Sequence, residues 1–340
     1  MEETSGTFSA AEAAVYDRQM RLWGMEAQKR LQNSHVLVSG LAALGSELVK
    51  NLVLSGMNVT VHDTTQVTEE AVATQFFFSY EDVGQNRAEA CLTRVRDLNP
   101  LVRVQSETQP LQELSDEFIK QFTVVCLVGA SHAQELRFDE ICRSNGIAFF
   151  TARTFGFDGV MFADLGKHTY RRTPVGENAQ PTDTVSVEFP SLQAAESVKW
   201  SSLQSTRKRG PQIPRVFIKH QCTSRCAEIE RHGGNAVIRL VLQGFLNAKG
   251  LDVIPVGGVE HVDAFMLFAR TQLEQHGLSS DFFSDEELTS LIAVAELILS
   301  RAIVAGIIGQ EVIKAVSQKD EPICNYFCFD GETGTVRHIG

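Results

Sequence analysis

The residues best equipped for chemistry lie near the start of the chain. Gly40-Leu41-Ala42-Ala43-Leu44-Gly45 follows a β-rich run at residues 35–39 and precedes a helix-compatible segment, the setting of a nucleotide-binding glycine loop. In the full G-x-G-x-x-G fingerprint the middle glycine lets the backbone close on a phosphate. Ala42 holds that place here, and its Cβ obstructs the approach. Asp63, at the end of the next β-rich run, stands where a dinucleotide enzyme carries its ribose-binding acid. A nicotinamide site and an ATP site are therefore both conceivable. The expectation is a third outcome, glycines kept for a tight turn and close helix packing. His132 and His220 have no partner pattern and are read as packing or surface residues.

Alternating elements are needed to position that loop. β-rich runs at residues 35–39, 58–62, 102–105, 123–128 and 147–151 are separated by helix-like segments at 43–55, 86–98 and 132–144. Such alternation means βαβ units and an α/β fold with a doubly wound, mostly parallel, Rossmann-like sheet covered on both faces. A helical arm at residues 9–31 should precede it, with Ser9 as N-cap and Glu12 completing a capping box. A polar crossover follows at 171–184, then a basic stretch at 200–215 and amphipathic helices at 235–249 and 262–276. Ser284-Asp285-Glu286-Glu287 is a helix start, and an apolar helix at 288–317 returns the chain to the first core, with Gly306 and Gly309 suited to a close backbone approach. A hairpin at 326–329 and 335–338 closes the chain. The domain reading is a first part at 1–168, a crossover and helical insertion at 169–285, and a return at 286–340.

Composition bounds the function. The 340 residues are 43% apolar and 21% charged, which suits a globular chain with a sizeable core. The net charge of −11 disfavours nucleic acid as the main ligand. Seven cysteines, an odd and scattered set, read as a reducing cell interior rather than a disulfide framework. The acidic start Met1-Glu2-Glu3 is unlike a secretion signal. Residues 291–309 are mostly apolar but include Glu296 and Arg301, and are read as a buried helix rather than a membrane span.

Several longer motifs carry a resemblance. They are Tyr16-Asp17-Arg18-Gln19-Met20-Arg21-Leu22-Trp23-Gly24, Glu26-Ala27-Gln28-Lys29-Arg30-Leu31, Val83-Gly84-Gln85-Asn86-Arg87-Ala88-Glu89-Ala90 and Leu98-Asn99-Pro100. Further along stand Phe155-Gly156-Phe157-Asp158-Gly159, Ile308-Gly309-Gln310-Glu311-Val312-Ile313-Lys314-Ala315 and Phe327-Cys328-Phe329-Asp330-Gly331. Over most of residues 12–166 and 290–334 the chain resembles the activating enzymes for ubiquitin-like proteins. Within that family it is most similar to the smaller, non-catalytic half of the heterodimer that activates SUMO, on its length and on Ser317-Gln318-Lys319-Asp320-Glu321-Pro322. The corresponding neddylation subunit is considerably longer.

The resemblance implies a ThiF/MoeB-type adenylation fold whose own nucleotide site is degenerate. Active members hold ATP with the glycine loop, a ribose-binding Asp, an Asn and Arg, a Lys, and a metal-supporting Asp. Here Gly40, Gly45 and Asp63 remain, but Ala42 replaces the middle glycine, Thr65, Ala71 and Thr74 replace an acid, the Asn and the Arg, Gln75 survives, Arg87 replaces the Lys, and Ala130 replaces the metal-supporting Asp. The chain alone is therefore expected to bind no cofactor and to be catalytically inactive, with ATP and magnesium held by a catalytic partner subunit and SUMO met through the complex. Arg18 would reach the partner's triphosphate as an arginine finger, and Arg21 is a weaker second candidate on the same helical face.

Cys222-Thr223-Ser224-Arg225 imitates the family's catalytic cysteine, but with no adenylation in cis it has nothing to receive. Metal-bearing relatives use C-x2-C pairs, so the C-x3-C pairs Cys222/Cys226 and Cys324/Cys328 are not expected to hold zinc. Neither nucleic acid nor a membrane is an expected partner. Arg207-Lys208-Arg209 and the pathway point to the nucleus, with some cytoplasmic protein. The alternatives are a self-sufficient adenylating enzyme of the same fold, a subunit for another modifier as in neddylation, and a nicotinamide-dependent dehydrogenase.

Overall fold

The computed structural model describes residues 8–155, 157–172, 184–203, 213–232, 262–293, 301–331 and 335–339. Short runs of Val, Leu, Thr and Phe form β1 (His35–Ser39), β2 (Asn58–His62), β3 (Val104–Glu107), β4 (Val124–Val128) and β5 (Ala148–Phe155). These five pair in parallel in the order β3-β2-β1-β4-β5, with Val36 beside both Val59 and Val124. β6 (Asp158–Asp164) folds back on β5 as an antiparallel strand. β7 (Lys167–Tyr170) and β8 (Val185–Glu188) leave the sheet and make a separate antiparallel ribbon. β9 (Tyr326–Asp330) and β10 (Thr335–Ile339) complete an eight-stranded sheet beyond β6. The expected doubly wound α/β class is therefore what forms, its parallel half extended by three antiparallel strands.

Strand alternation sends side chains to two cores. Val36 and Val38 pack with Leu48, Leu52, Ile308 and Val312 under the helices Ala43–Leu54 and Arg301–Ser317. Leu37 faces the other way, toward Phe138, Phe149, Phe162, Trp200 and Phe217. Both faces of the sheet are covered, as a parallel sheet requires.

The structure corrects several local expectations. The arm is two helices, Ala10–Trp23 and Met25–Asn33, because Gly24 adopts φ 87° between them and its N–H bonds Met20 O at 2.8 Å. The Ser9 capping box is present. The segment at 86–98 divides into Arg87–Ala90 and Leu92–Leu98. The long apolar helix is described over Asp285–Ala293 and Arg301–Ser317, and residues 294–300 lie outside the described residues. Of its two glycines, only Gly309 meets another helix, where a Cβ would stand 3.2 Å from Asn51, while Gly306 faces open space. The β6 strand was not foreseen, although all seven of its residues are buried. The helix expected at 235–249, most of the crossover and Arg207-Lys208-Arg209 lie outside the described residues. Among the described residues no helix is long and apolar enough to cross a membrane.

Candidate functional site

The glycine loop sits at the carboxyl end of β1, where doubly wound sheets bind ligands. Gly40 has φ 93°, and a Cβ on it would lie 2.1 Å from Val128 O. A Cβ on Gly45 would lie 1.8 Å from Gly40 O, so both glycines serve a tight turn pressed against the next strand and helix. Ala42 begins the helix with no side-chain cap. Asp63 is buried beneath the loop with both carboxylate oxygens engaged. Oδ2 accepts the Leu41 N–H at 2.7 Å, and Oδ1 accepts the Thr65 N–H at 2.8 Å and the Thr65 hydroxyl at 2.6 Å. The acid that resembles a ribose ligand thus holds the loop shut from below.

The other positions are also occupied from within. Arg87 Nε donates to Gln66 O at 3.1 Å, Thr74 bonds Glu70 O, and Ala71 is buried in the core. Gln75 accepts from Ser46 and from the Phe77 N–H, both at 3.0 Å. Ala130 is buried, and its carbonyl accepts from Arg153 at 2.6 Å. With no carboxylate at Ala130 and both Asp63 oxygens already bonded within the chain, the residues present do not fit a triphosphate and its metal ion.

Beside this pocket, at the ends of β4 and β5, lies a buried ionic cluster that the sequence reading missed. His132 Nε2 is 3.0 Å from Glu196 Oε2, and its Nδ1 is 3.7 Å from Glu135 Oε2. Glu135 also accepts from the Thr151 hydroxyl at 2.7 Å and faces Arg153 at 3.7 Å. Burial opposes its charge, but His132, Arg153 and Thr151 together hold its pKa down to about 2. His220 lines the same cavity of only about 10 Å³, and burial, reinforced by Arg153, lowers its pKa to about 4. The two histidines read as packing or surface residues are therefore parts of one polar plug joining three helices to the sheet. Only the i, i+3 spacing of His132 and Glu135 could have signalled it.

The arm is anchored at the far end of the glycine-loop helix. The last carbonyls of a helix have no partner within it. Here Val53 O accepts from Asn99 at 2.8 Å, Leu54 O from Gln19 at 2.9 Å and Ser55 O from Gln28 at 3.0 Å. Asn99 also bonds the fully buried Tyr16 hydroxyl at 2.8 Å, and Trp23 donates to Gln28 at 2.9 Å. Three separated motifs of the sequence thus meet at one helix end. Arg21 pairs with Asp17 at 3.0 Å. Arg18 is exposed and, among the described residues, takes no hydrogen bond or ion pair.

Cys222 is fully buried inside the helix Arg215–His232, which contradicts a nucleophile's need for access. The side chains of Ser224, Arg225 and Cys226 lie outside the described residues. Cys328 is buried in β9, and burial raises its thiol pKa. Among the described residues no group of three His, Cys, Asp or Glu side chains is placed to hold a metal.

A sheet of this order, with a glycine loop at β1 and an arm on the helix that follows, is also the subject of a family match. The ThiF family model matches residues 16–339, and the chain belongs to that family. It is 36% identical over 358 residues to SUMO-activating enzyme subunit 1 of Xenopus tropicalis, covering 100% of this chain and 99% of that protein. It is 36% identical over 341 residues to SUMO-activating enzyme subunit 1 of Homo sapiens, covering 98% and 96%. The protein of the same name from Mus musculus is 35% identical over 329 residues, covering 95% and 92%.

Proposed function

We propose that this chain is the non-catalytic subunit of a heterodimeric SUMO-activating enzyme. The catalytic partner holds ATP and magnesium, adenylates the carboxyl terminus of SUMO and then carries the modifier as a thioester on its own cysteine. This chain binds no nucleotide alone; it contributes a docking surface and Arg18. The observation that carries this reading is a contrast within one chain: Asp63, Thr74, Gln75 and Arg87 each bond within the chain and Ala130 supplies no carboxylate, while Arg18 stands exposed on an anchored helix and, among the described residues, takes no hydrogen bond or ion pair. Full-length similarity to relatives named for the same subunit supports it.

As the modifier's carboxylate attacks the α-phosphorus, charge moves onto the departing pyrophosphate. A planar guanidinium that cannot lose its proton stabilises that charge through phosphate oxygens. Docking would cover apolar surface left outside this chain's own core. The glycine-loop helix is mostly covered by Arg301–Ser317. The exposed apolar residues nearby are Leu54, Phe76 and Ile303. An obligate interface commonly buries more than ~2,000 Å². The nucleus, with some protein in the cytoplasm, is the compartment this role implies.

Pyrophosphate exchange by the reconstituted heterodimer with SUMO tests the assignment. Arg18→Ala is expected to leave the complex assembled on size exclusion while slowing exchange by about 10²-fold. Arg18→Lys should recover part of the loss, because it keeps charge without the planar fork. Wild-type exchange by the Arg18→Ala heterodimer would reduce this subunit to a scaffold.

A further inference from the structure

The amino ends of the parallel strands, opposite the glycine loop, carry a groove that the proposed function does not use. It has two lobes, of about 400 and about 460 Å³, which share Arg30, Thr169 and Gln318. Lys167, His168 and Thr169 line one lobe, and Thr169, Tyr170 and Arg171 line the other. Successive side chains of a strand point to opposite faces, so a groove touching five in a row runs along the strand's edge.

That edge is the one β8 leaves unpaired. The Phe189 N–H bonds Gly166 O at 2.8 Å, which sets the backbone groups of Gly166, His168 and Tyr170 toward β8. Arg171 points the other way, its N–H bonding Gln318 O at 3.0 Å and its C=O accepting the Asp320 N–H at 2.9 Å. By the two-residue alternation of a strand, the N–H and C=O of Lys167 and Thr169 face that same side, into the groove.

The groove's charge is one-sided. Arg30, Lys167, Arg171 and Lys319 line it, and none of the four forms an ion pair among the described residues. Arg30 is oriented there by Ser317 O at 2.9 Å and Gln318 Oε1 at 3.0 Å. The carboxylate lining it among the described residues, Glu26, faces Lys29 at 3.8 Å. His168 is 8% exposed, and its buried Nε2 has no hydrogen-bond partner among the described residues. A cluster of unpaired cations on a chain of net charge −11 asks for an acidic ligand, and a free strand edge asks for a peptide backbone.

We propose that the free edge of β7 receives an extended acidic peptide segment of a partner protein. It adds as a strand, its backbone bonding Lys167 and Thr169 and its carboxylates meeting Arg30, Lys167, Arg171 and Lys319. About five residues would span the groove at ~3.3 Å per residue.

Fluorescence anisotropy of the full chain with a labelled peptide of alternating Glu and Val tests this. Saturable binding is expected, weakened at least ~tenfold in a Lys167→Glu/Arg171→Glu variant whose melting temperature matches the parent. Two further peptides, N-methylated at one or the other alternate set of positions, keep the charge and separate strand addition from charge attraction. One set should abolish binding and the other should spare it. Absence of saturation, equal behaviour of the two N-methylated peptides, or equal binding by an RNA oligonucleotide of the same charge would overturn the proposal. In that event Lys167 is an edge-protecting charge.

Discussion

Around Asp63 the donors that could have met a ligand are answered from inside the chain, whereas along the arm Tyr16, Gln19 and Gln28 are tied to the scaffold and, among the described residues, the Arg18 guanidinium is not. Both regions descend from the same set of family motifs. In the first, the polar groups turn inward and bond within the chain. In the second, Tyr16, Gln19 and Gln28 fix the helix, leaving Arg18 available. A charge is useful to another molecule only if its own chain does not neutralise it, and this molecule has separated the two uses by region.

The sharpest way to break the comparison is at Gly45. Its Cβ would sit 1.8 Å from a backbone oxygen, so Gly45→Ala should cost more than ~4 kcal/mol, measured by urea denaturation. A near-normal midpoint would mean that the loop is loose enough to admit a ligand.

Next in size is the pH response of the plug. The folded pKa of His220, about 4, lies below its ordinary 6.5, so the unfolded chain takes up this proton first as pH falls. The stabilisation is complete above about pH 6.5 and is lost between 6.5 and 4, on the order of 3 kcal/mol. Glu135, held near 2 against an ordinary 4.5, adds a further loss as pH drops from 4.5 to 2. His220→Gln should flatten the upper part of a stability-versus-pH curve, and an unchanged slope would remove His220 from the plug.

A smaller effect is expected at Asp63. Asp63→Asn weakens the charge-assisted bonds to Leu41 and Thr65 and should cost about 1–2 kcal/mol of stability. Pyrophosphate exchange by the assembled heterodimer should not change; a selective loss of exchange would restore the nucleotide reading of this acid. The smallest effect belongs to the exposed pair at Arg21. Arg21→Ala should alter stability by less than ~0.5 kcal/mol and exchange hardly at all, against the large kinetic effect expected at Arg18.

The centre of the parallel half was legible because β1, β2, β4 and β5 are short β-rich runs and the helices Ala43–Leu54 and His132–Asn145 are long enough to show their period, whereas β3, Val104-Gln105-Ser106-Glu107, is largely polar. β6 escaped because Asp158-Gly159-Val160-Met161-Phe162-Ala163-Asp164 is buried on both faces and shows no alternation. The departures from a nucleotide site were legible at Ala42, which adds a Cβ where the fingerprint has glycine, and at Ala130, which lacks the carboxylate. What the remaining acid does instead was not, because Asp63 bonds a loop whose shape only the fold defines. The plug was hidden for a related reason: Glu135, Glu196 and His220 come from distant parts of the chain. The Arg21 pair with Asp17 could be read from an i, i+4 spacing, and it is what distinguishes the two arginines.

The bonds from Asn99 to Tyr16 and Val53 have one more consequence. They fix the arm to the helix end when the chain folds, so on the role proposed for Arg18 most of the entropy of placing it would be spent before any nucleotide arrives. A flexible tail would have to find its position again at every turnover. The trade is that a local fault such as Asn99→Ala, which leaves the guanidinium and the partner's whole machinery intact, would register as a slower reaction in a different polypeptide. On that proposed role a packing defect in one protein would become a rate defect in another.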